Sequence, residues 1–243
     1  MTTLADADVG SFIDDLLREL RDRRSFLLDG DFLAAVEAAS VTRDQIREWA
    51  RTFYAATRNG RLLLGNFYAN SPDDPVLRRE LAANLYEEET GRLSGVNRCH
   101  MEVFQDLLAA FDIAPAEAEG IDSPMDYRPQ GSPIAPEDFY VELSAYGLSV
   151  ELPNAEFCAR MQRALAQHFG FAQKQLTWFA IHAALDADHG EEFRKYVGRA
   201  ARSPGRARSP TGEDAGARRG DEADLGRLRP LARPGRKRLG GGG

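Results

Sequence analysis

Two histidines and an aspartate close to residue 185 are the side chains of this sequence best suited to chemistry. His182, Asp186 and His189 follow one another at helical spacing within the run Trp178–His189. Residues three, four and seven positions apart share one face of a helix, so all three side chains lie on one stripe. Two imidazoles and a carboxylate on one stripe supply half of a site for iron, manganese or zinc. This segment therefore predicts a metal-binding helix.

Further acidic and imidazole ligands occur earlier in the chain. Glu87, Glu88 and Glu89 are consecutive, His100 starts the next predicted helix, and Glu151 stands in otherwise apolar surroundings. Three carboxylates and three imidazoles directed into a helical bundle make the usual ligand set of a carboxylate-bridged dinuclear site. Burying so much charge without a cation would be very unfavourable, and a metal ion is the simplest compensation. The absence of thiolate from the set favours Fe(II) or Mn(II) over structural zinc.

Each of these elements has a simpler interpretation when it is taken alone. His182 fits an ordinary core or surface histidine, the glutamate run fits a solvated helix face, and Glu151 fits an ion pair with an arginine. His168 lies beside Gly170 and is interpreted as a helix C-terminal cation. What favours a metal site is the joint pattern, because three of the four histidines stand beside acids at helical spacing.

Helical periodicity runs through the chain to about residue 197, and no β-alternation accompanies it, so the sequence predicts an all-α protein. The Thr42-Arg-Asp-Gln45 segment has the form of a capping box. Helices are predicted at about 76–89, 97–111, 136–150 (continuing or kinking near Pro153), 155–169 and 171–197. Residues 114–136 contain five prolines and predict a loop.

Composition divides the chain into two parts: a bundle over residues 1–197 and a tail over residues 198–243. From Arg199 onwards the net charge is +7, against −14 for the rest, and the tail contains no aromatic residue. Such a segment cannot bury enough surface to fold, so it is predicted to be disordered. A basic tail can bind anions without specificity, although a merely solvated extension is the simpler interpretation. The acidic bundle argues against a specific nucleic-acid partner.

The sequence also bears on the cellular compartment. Cys99 and Cys158 are the only cysteines, so no disulfide framework is implied. The N-terminus lacks the basic start and apolar run of a signal peptide, and no uninterrupted apolar stretch is long enough to span a membrane. These features predict a cytoplasmic protein without a membrane partner.

In order along the chain, Asn84–Gly91, the His100-Met-Glu-Val-Phe segment, Glu151 and the final His-x3-Asp-x2-His triplet resemble the heme-oxygenase-like diiron oxidases and oxygenases. These are relatives of the thiaminase-II and pyrroloquinoline-quinone-synthase folds. The resemblance extends over about residues 10–197. It implies a heme-oxygenase-like helical bundle of about seven helices.

The resemblance further implies two Fe(II) ions per chain, with manganese as the alternative metal. Carried over position by position, the metal ligands fall on Glu88, His100, Glu151, His182, Asp186 and His189. An inserted run, Arg92–Val96, separates the first two of these and leaves Glu89 open as the alternative to Glu88. The implied activity is O2-dependent oxidation of a small molecule such as an amino acid, an amine or a fatty acid, in natural-product or secondary metabolism. Related bundles often pair, so a homodimer is a further expectation.

Two other functions remain open from the sequence. One is a cofactor-free oxidase of the pyrroloquinoline-quinone-synthase type, which does not need six metal ligands. The other is a noncatalytic interaction protein on the same bundle, recruited through the basic tail. A heme oxygenase is disfavoured because no histidine precedes His100. Metal binding is the property that separates the oxygenase from the interaction protein.

Overall fold

The computed structural model describes residues 6–22, 30–123 and 131–202, and these ranges contain helices and turns but no strand. The fold is therefore all-α, as predicted. The α-helices are α1 (Asp6–Asp22), α2 (Asp31–Glu37), α3 (Arg43–Thr57), α4 (Gly60–Asn70), α5 (Pro75–Thr90), α6 (His100–Ala109), α7 (Pro115–Glu119), α8 (Phe139–Tyr146), α9 (Leu152–Phe169) and α10 (Thr177–Arg202). A π-helical turn, Gly147–Glu151, joins α8 to α9, and a 3₁₀ turn, Gln173–Leu176, precedes α10.

Among the described residues these segments form seven longer helices. Helices α2 and α7 are short, with seven and five residues. Helices α8 and α9 run through the π-helical turn without a break and count as one long helix. The expected bundle of about seven helices agrees with this architecture.

Helix starts follow the local chemistry of the sequence. The predicted capping box is present, because the Thr42 side chain accepts from the Gln45 amide and the Gln45 side chain accepts from the Thr42 amide. At the start of α5, the Asp74 carboxylate accepts from the amides of Val76 and Leu77. The predicted start at Asn97 was wrong by one turn: Asn97 has a positive φ of 54°, which no α-helix allows, and α6 begins at His100.

Near Pro153, where the sequence predicts that the helix continues or kinks, the helix continues through the π-helical turn. Proline has no backbone N–H, and its ring clashes with the carbonyl four residues earlier in a regular α-helix. The helix widens just before this proline, and the Leu152 amide bonds to the Gly147 carbonyl five residues back. Single π-helical turns inside α-helices are frequently found at functional sites. Glu151, one of the predicted ligands, is the last residue of this one.

The interior consists mainly of aromatic and aliphatic side chains from α3, α6, α9 and α10. Trp49 stacks against Phe53 and Phe179, and Trp178 meets Phe53 and Phe104 edge to face. A second cluster, around Phe67, Phe139 and Phe193, packs α4 and α8 against the later part of α10. Among the described residues, no helix combines the length and the apolar character that a membrane crossing requires.

The last helix continues past its predicted end at residue 197 to Arg202. Val197 is buried in a small apolar cluster with Ile13 and Leu148, which ties this part of α10 to α1 and the π-helical turn. Alanine and arginine, which follow it, are among the best helix formers. The predicted disorder of the tail stays a prediction, because residues 203–243 lie outside the described ranges.

Gly147 is expected to be intolerant of any side chain. A Cβ atom there would lie 2.2 Å from Cγ of Phe193 and 2.6 Å from its Cβ, so rotation of the ring alone does not relieve the clash. Gly147→Ala should destabilise the protein by about 1–3 kcal/mol and lower its melting temperature by several degrees.

Gly65→Ala is the matched control, because Gly65 lies inside α4 and a Cβ atom added there would meet no other atom within 4 Å. The control should leave the melting temperature unchanged or raise it, since alanine favours a helix by about 1 kcal/mol over glycine. Equal melting temperatures for Gly147→Ala and wild type would contradict the close approach of α10 to the π-helical turn.

Candidate metal centre

The last turn of α5 directs three consecutive glutamates in three directions. Glu87 is buried, with 2% of its surface exposed, and Glu88 is largely buried. Glu89 lies on the outer surface, where its carboxylate pairs with Arg61 at 2.9 Å. Because neighbouring helical positions differ by about 100°, two of the three side chains can face the interior and the third cannot. The structure thus places Glu88, and not the alternative Glu89, at the interior.

The segment after α5 folds back over Glu87. Helix α5 ends at Gly91, which has a φ of 58°, and a Cβ there would lie 2.3 Å from the Arg98 carbonyl oxygen. The following turn aims two amides at the Glu87 carboxylate: the Leu93 N–H at 2.6 Å and the Ser94 N–H at 3.1 Å. Glycine at position 91 is what allows the chain to turn this tightly.

His100, the first residue of α6, lies between the two inward glutamates. Its Nε2 is 3.0 Å from Oε1 of Glu87, and its Nδ1 is 3.0 Å from Oε1 of Glu88. The imidazole is buried. A neutral imidazole carries a proton on one ring nitrogen only, so only one of these two contacts can be an N–H···O hydrogen bond. In the other contact, an unprotonated nitrogen faces a carboxylate oxygen, and both atoms are acceptors.

The geometry of His182 fixes which of its nitrogens is available. Its Nδ1 is 2.8 Å from the Trp178 carbonyl oxygen one turn earlier in α10, which can only accept, so Nδ1 carries the proton. In the neutral ring, Nε2 therefore presents its lone pair, and it lies 3.6 Å from Oε1 of Glu88. The ring packs against the Trp178 indole at an interplanar angle of 30°, with centroids 3.9 Å apart.

Three potential ligand atoms converge at this point. One atom each from Glu88, His100 and His182 lie within 4.8 Å of one another. Burial raises the pKa of the Glu88 carboxyl, but when His100 and His182 are protonated, their hydrogen bonds and positive charge outweigh burial and hold that pKa well below its usual range. Burial also raises the pKa of Glu87, but the hydrogen bonds from Ser94, His100 and Leu93 outweigh burial, so this pKa too lies below its usual value. Both glutamates are therefore anionic at neutral pH.

This arrangement fits a divalent metal ion. A carboxylate oxygen and the Nε2 lone pair of His182 face each other, and two acceptors at that separation need a proton or a cation between them. The donor set is one oxygen and two nitrogens without sulfur, a set suited to iron, manganese or zinc. The three residues come from α5, α6 and α10, so the site exists only once the bundle is packed.

Glu151 lies outside this cluster of three but inside the protein. Its side chain is buried, and its Oε1 accepts a hydrogen bond of 2.5 Å from the Tyr146 hydroxyl one turn earlier. Tyr146 is itself packed between Phe67 and Phe193. This hydrogen-bond partner is a tyrosine hydroxyl. The role of Glu151 as a metal ligand stays a prediction.

Asp186 and His189 lie in α10, one and two turns after His182, so the predicted single stripe of the helix is present in the backbone. Their side chains lie outside the described part of the structure, and their roles as ligands stay predictions. The fourth histidine, His168, is exposed in the last turn of α9, as expected for a helix C-terminal cation.

A surface depression of about 220 Å³ lies near the site but does not open onto its ligand atoms. Its lining is apolar except for one carboxylate, and it consists of Tyr68, Ala82, Leu85, Tyr86 and Glu89. None of the three clustered residues contributes to it. The depression belongs to the outer face of α4 and α5.

Two residues of the site could not be singled out from the sequence. Glu87 was recognised only as a member of an acidic run, and Trp178 only as the start of the histidine segment. A glycine after a helix commonly adopts the left-handed conformation, but the course of the turn after Gly91, which brings the two amides to Glu87, could not be derived from the sequence. Trp178 lies four residues before His182, a spacing that could have predicted contact between their rings.

A comparison with known families gives one match. Residues 47–211 match the model of a family described as iron-containing redox enzymes. The matched region begins in α3 and includes Glu88, His100, Glu151 and the final triplet, so it covers more than half of the chain. No curated protein matches the chain.

The inward position of Glu88 can be tested against its neighbour. Glu88→Gln should weaken Co(II) binding by more than about tenfold, since it removes the only carboxylate of the cluster, whereas Glu89→Gln should leave the affinity unchanged. Quenching of Trp178 fluorescence reports binding, because its ring lies against His182. A Trp49→Phe background leaves Trp178 as the only tryptophan. Equal effects of the two substitutions would contradict the placement.

Proposed function

Because the chain belongs to the family of iron-containing redox enzymes, we propose that it is a non-heme diiron oxidase or oxygenase that uses O2 to oxidise a small molecule. The observation that carries this proposal is the convergence of Glu88, His100 and His182 within 4.8 Å in the interior of the bundle. Iron bound there would supply the one-electron redox chemistry that O2 activation needs. The family supports an oxidoreductase, and the donor set supports iron.

The proposal assigns two groups of ligands to two iron ions. Glu88, His100 and His182 hold the first. Glu151, Asp186 and His189 are proposed for the second. Asp186 and His189 continue the stripe of α10 that carries His182, and Glu151 adds a buried carboxylate at the π-helical turn. Carboxylates and imidazoles that project into a helical bundle are the usual ligands of two carboxylate-bridged metal ions.

The surrounding side chains would keep water from the oxidising site. Trp178 covers one side of the His182 ring, and Phe53 and Phe104 pack edge to face against Trp178. All three aromatic residues are buried. A low-dielectric wall of this kind strengthens the attraction between the carboxylates and a cation. It also protects a reactive oxidant from side reactions with solvent.

The substrate class rests on the resemblance of the metal-binding segments to O2-using diiron enzymes. An amino acid, an amine or a fatty acid is proposed, within natural-product or secondary metabolism. We place the enzyme in the cytosol, since a chain with only two cysteines implies no disulfide framework. The homodimer and the absence of specific nucleic-acid partners stay predictions.

A cofactor-free oxidase on the same fold is the competing function. It would use the buried histidines to bind an organic substrate directly and would have no need of metal. The description of the matched family as iron-containing favours the metal-dependent enzyme. The lone pair that His182 directs at Glu88 favours it too, because an imidazole that binds substrate does not require an adjacent anion.

Anaerobic titration with Fe(II) tests the proposed function. Apoprotein should take up about two ions per chain, and mixing the loaded protein with O2 in a stopped-flow instrument should give a transient visible absorbance. His182→Ala should lose the absorbance and most of the iron, whereas His168→Ala, which alters an exposed histidine, should retain both. Failure of wild-type protein to bind iron, or iron binding without any response to O2 in the presence of candidate amines and acids, would contradict the proposal.

A further inference from the structure

His100 contacts two glutamates at equal distances, yet the two carboxylates differ in what else they contact. Oε1 of Glu87 and Oε1 of Glu88 are each 3.0 Å from one nitrogen of the ring. Glu88 also faces Nε2 of His182, which carries no proton in the neutral ring. Among the residues that the structure describes, Glu87 faces no second imidazole and instead accepts from two backbone amides. The two carboxylates therefore differ in their surroundings, although both are equally far from the His100 ring.

The oxygens of Glu87 are already engaged by hydrogen-bond donors. Oε2 accepts from the Leu93 amide at 2.6 Å, and Oε1 accepts from the Ser94 amide at 3.1 Å. Backbone amides cannot be withdrawn without unfolding the turn, so they hold the carboxylate in a fixed place and orientation. A fixed anion of this kind is a strong acceptor for an imidazole N–H, and the nitrogen directed at it is Nε2 of His100.

We infer that Glu87 is a positioning residue: held by the amides of Leu93 and Ser94, its carboxylate accepts the Nε2–H of His100 and so presents the Nδ1 lone pair to the metal beside Glu88. This inference rests on the proposed iron site and adds the outer partner of one ligand. Histidine ligands of metals commonly donate their second N–H to a carboxylate, which fixes both tautomer and ring orientation. The two histidines of the site would then bind through different nitrogens, His100 through Nδ1 and His182 through Nε2.

The turn after α5 would then serve to hold the Glu87 carboxylate in place. The run Arg92–Val96, which lengthens the segment between Glu88 and His100, contains the Leu93 and Ser94 amides that hold Glu87. Gly91 starts this turn in a left-handed conformation that a residue with a side chain could not adopt without colliding with the Arg98 carbonyl. Glu87, the turn and His100 form one unit, and the metal ligand is oriented from outside the metal site.

The orientation of His100 can be measured on the full chain loaded with Zn(II), a diamagnetic substitute for Fe(II). Long-range ¹⁵N–¹H correlation spectra distinguish a ring bound through Nδ1 from one bound through Nε2, and only four histidines need assignment. In wild-type protein, His100 should show a protonated Nε2 and a metal-bound Nδ1, and His182 the opposite pattern. A His100 ring bound through Nε2 would overturn the inference without any variant.

Glu87→Gln tests the role of the carboxylate itself. The amide group of glutamine can donate to Nε2 of His100 and so favours the tautomer whose Nδ1 is protonated and cannot bind metal. Zn(II) affinity should fall by about 10–100-fold, and the His100 signals should change while those of His182 keep their pattern. A general loosening of the fold would alter both histidines. Glu89→Gln, on the outer surface of the same turn, is the matched control and should behave as wild type.

The outcomes separate this inference from the proposed function. Wild-type affinity and an unchanged His100 pattern in Glu87→Gln, together with loss of Zn(II) in Glu88→Gln, would overturn the role of Glu87 and leave the metal site standing. Absence of Zn(II) and Fe(II) binding in wild-type protein would overturn both.

Discussion

The imidazole of His100 is held between two buried carboxylates that come from consecutive residues of one helix, and much of the local structure serves to make that arrangement stable. Two anions in the interior would be strongly unfavourable if they lacked partners. One of them, Glu87, receives two backbone amides and one imidazole nitrogen. The other, Glu88, faces two imidazoles, and one potential ligand atom from each of these three residues lies within 4.8 Å of the others. Glu87 is thus satisfied by protein donors, and Glu88 is the carboxylate that we propose as a metal ligand.

His182 reaches this pair only through packing between helices. His182 is carried by α10, which lies against α8, the π-helical turn and α9, and the contact of Gly147 with Phe193 sets how closely these helices approach. Farther along the same face, Trp178 fills the space between the His182 ring and the aromatic core. Because interiors are close-packed, small changes at these contacts would move the imidazole relative to Glu88.

The sequence predicts most of the regular helices and little of the backbone conformation between them. Most of the helices and the capping box at Thr42 follow from local patterns with known chemistry, and the structure confirms them. Helices α6 and α10 start later than predicted, and the predicted loop over residues 114–136 contains α7. The choice of Glu88 over Glu89 came from family resemblance, and the outward ion pair of Glu89 with Arg61 supports it. The second group of ligands, Glu151, Asp186 and His189, stays a prediction.

What the sequence could not supply depends on backbone conformations outside the regular helix. The left-handed residues Gly91 and Asn97 give the turn after α5 its course, which delays α6 by one turn and places two amides against Glu87. Neither residue reveals its φ angle through spacing or hydrophobic pattern. The function of Glu87 was therefore hidden in a run of three glutamates that sequence alone treats as nearly equivalent.

Anomalous X-ray diffraction from crystals loaded anaerobically with Fe(II) would show whether Glu88, His100 and His182 together bind iron. We expect an iron peak in contact with the Glu88 carboxylate, Nδ1 of His100 and Nε2 of His182, with a second peak about 3.5–4 Å away on the side of Glu151. An iron peak bound elsewhere, or none at these three side chains in protein that retains its fold, would contradict the proposed site.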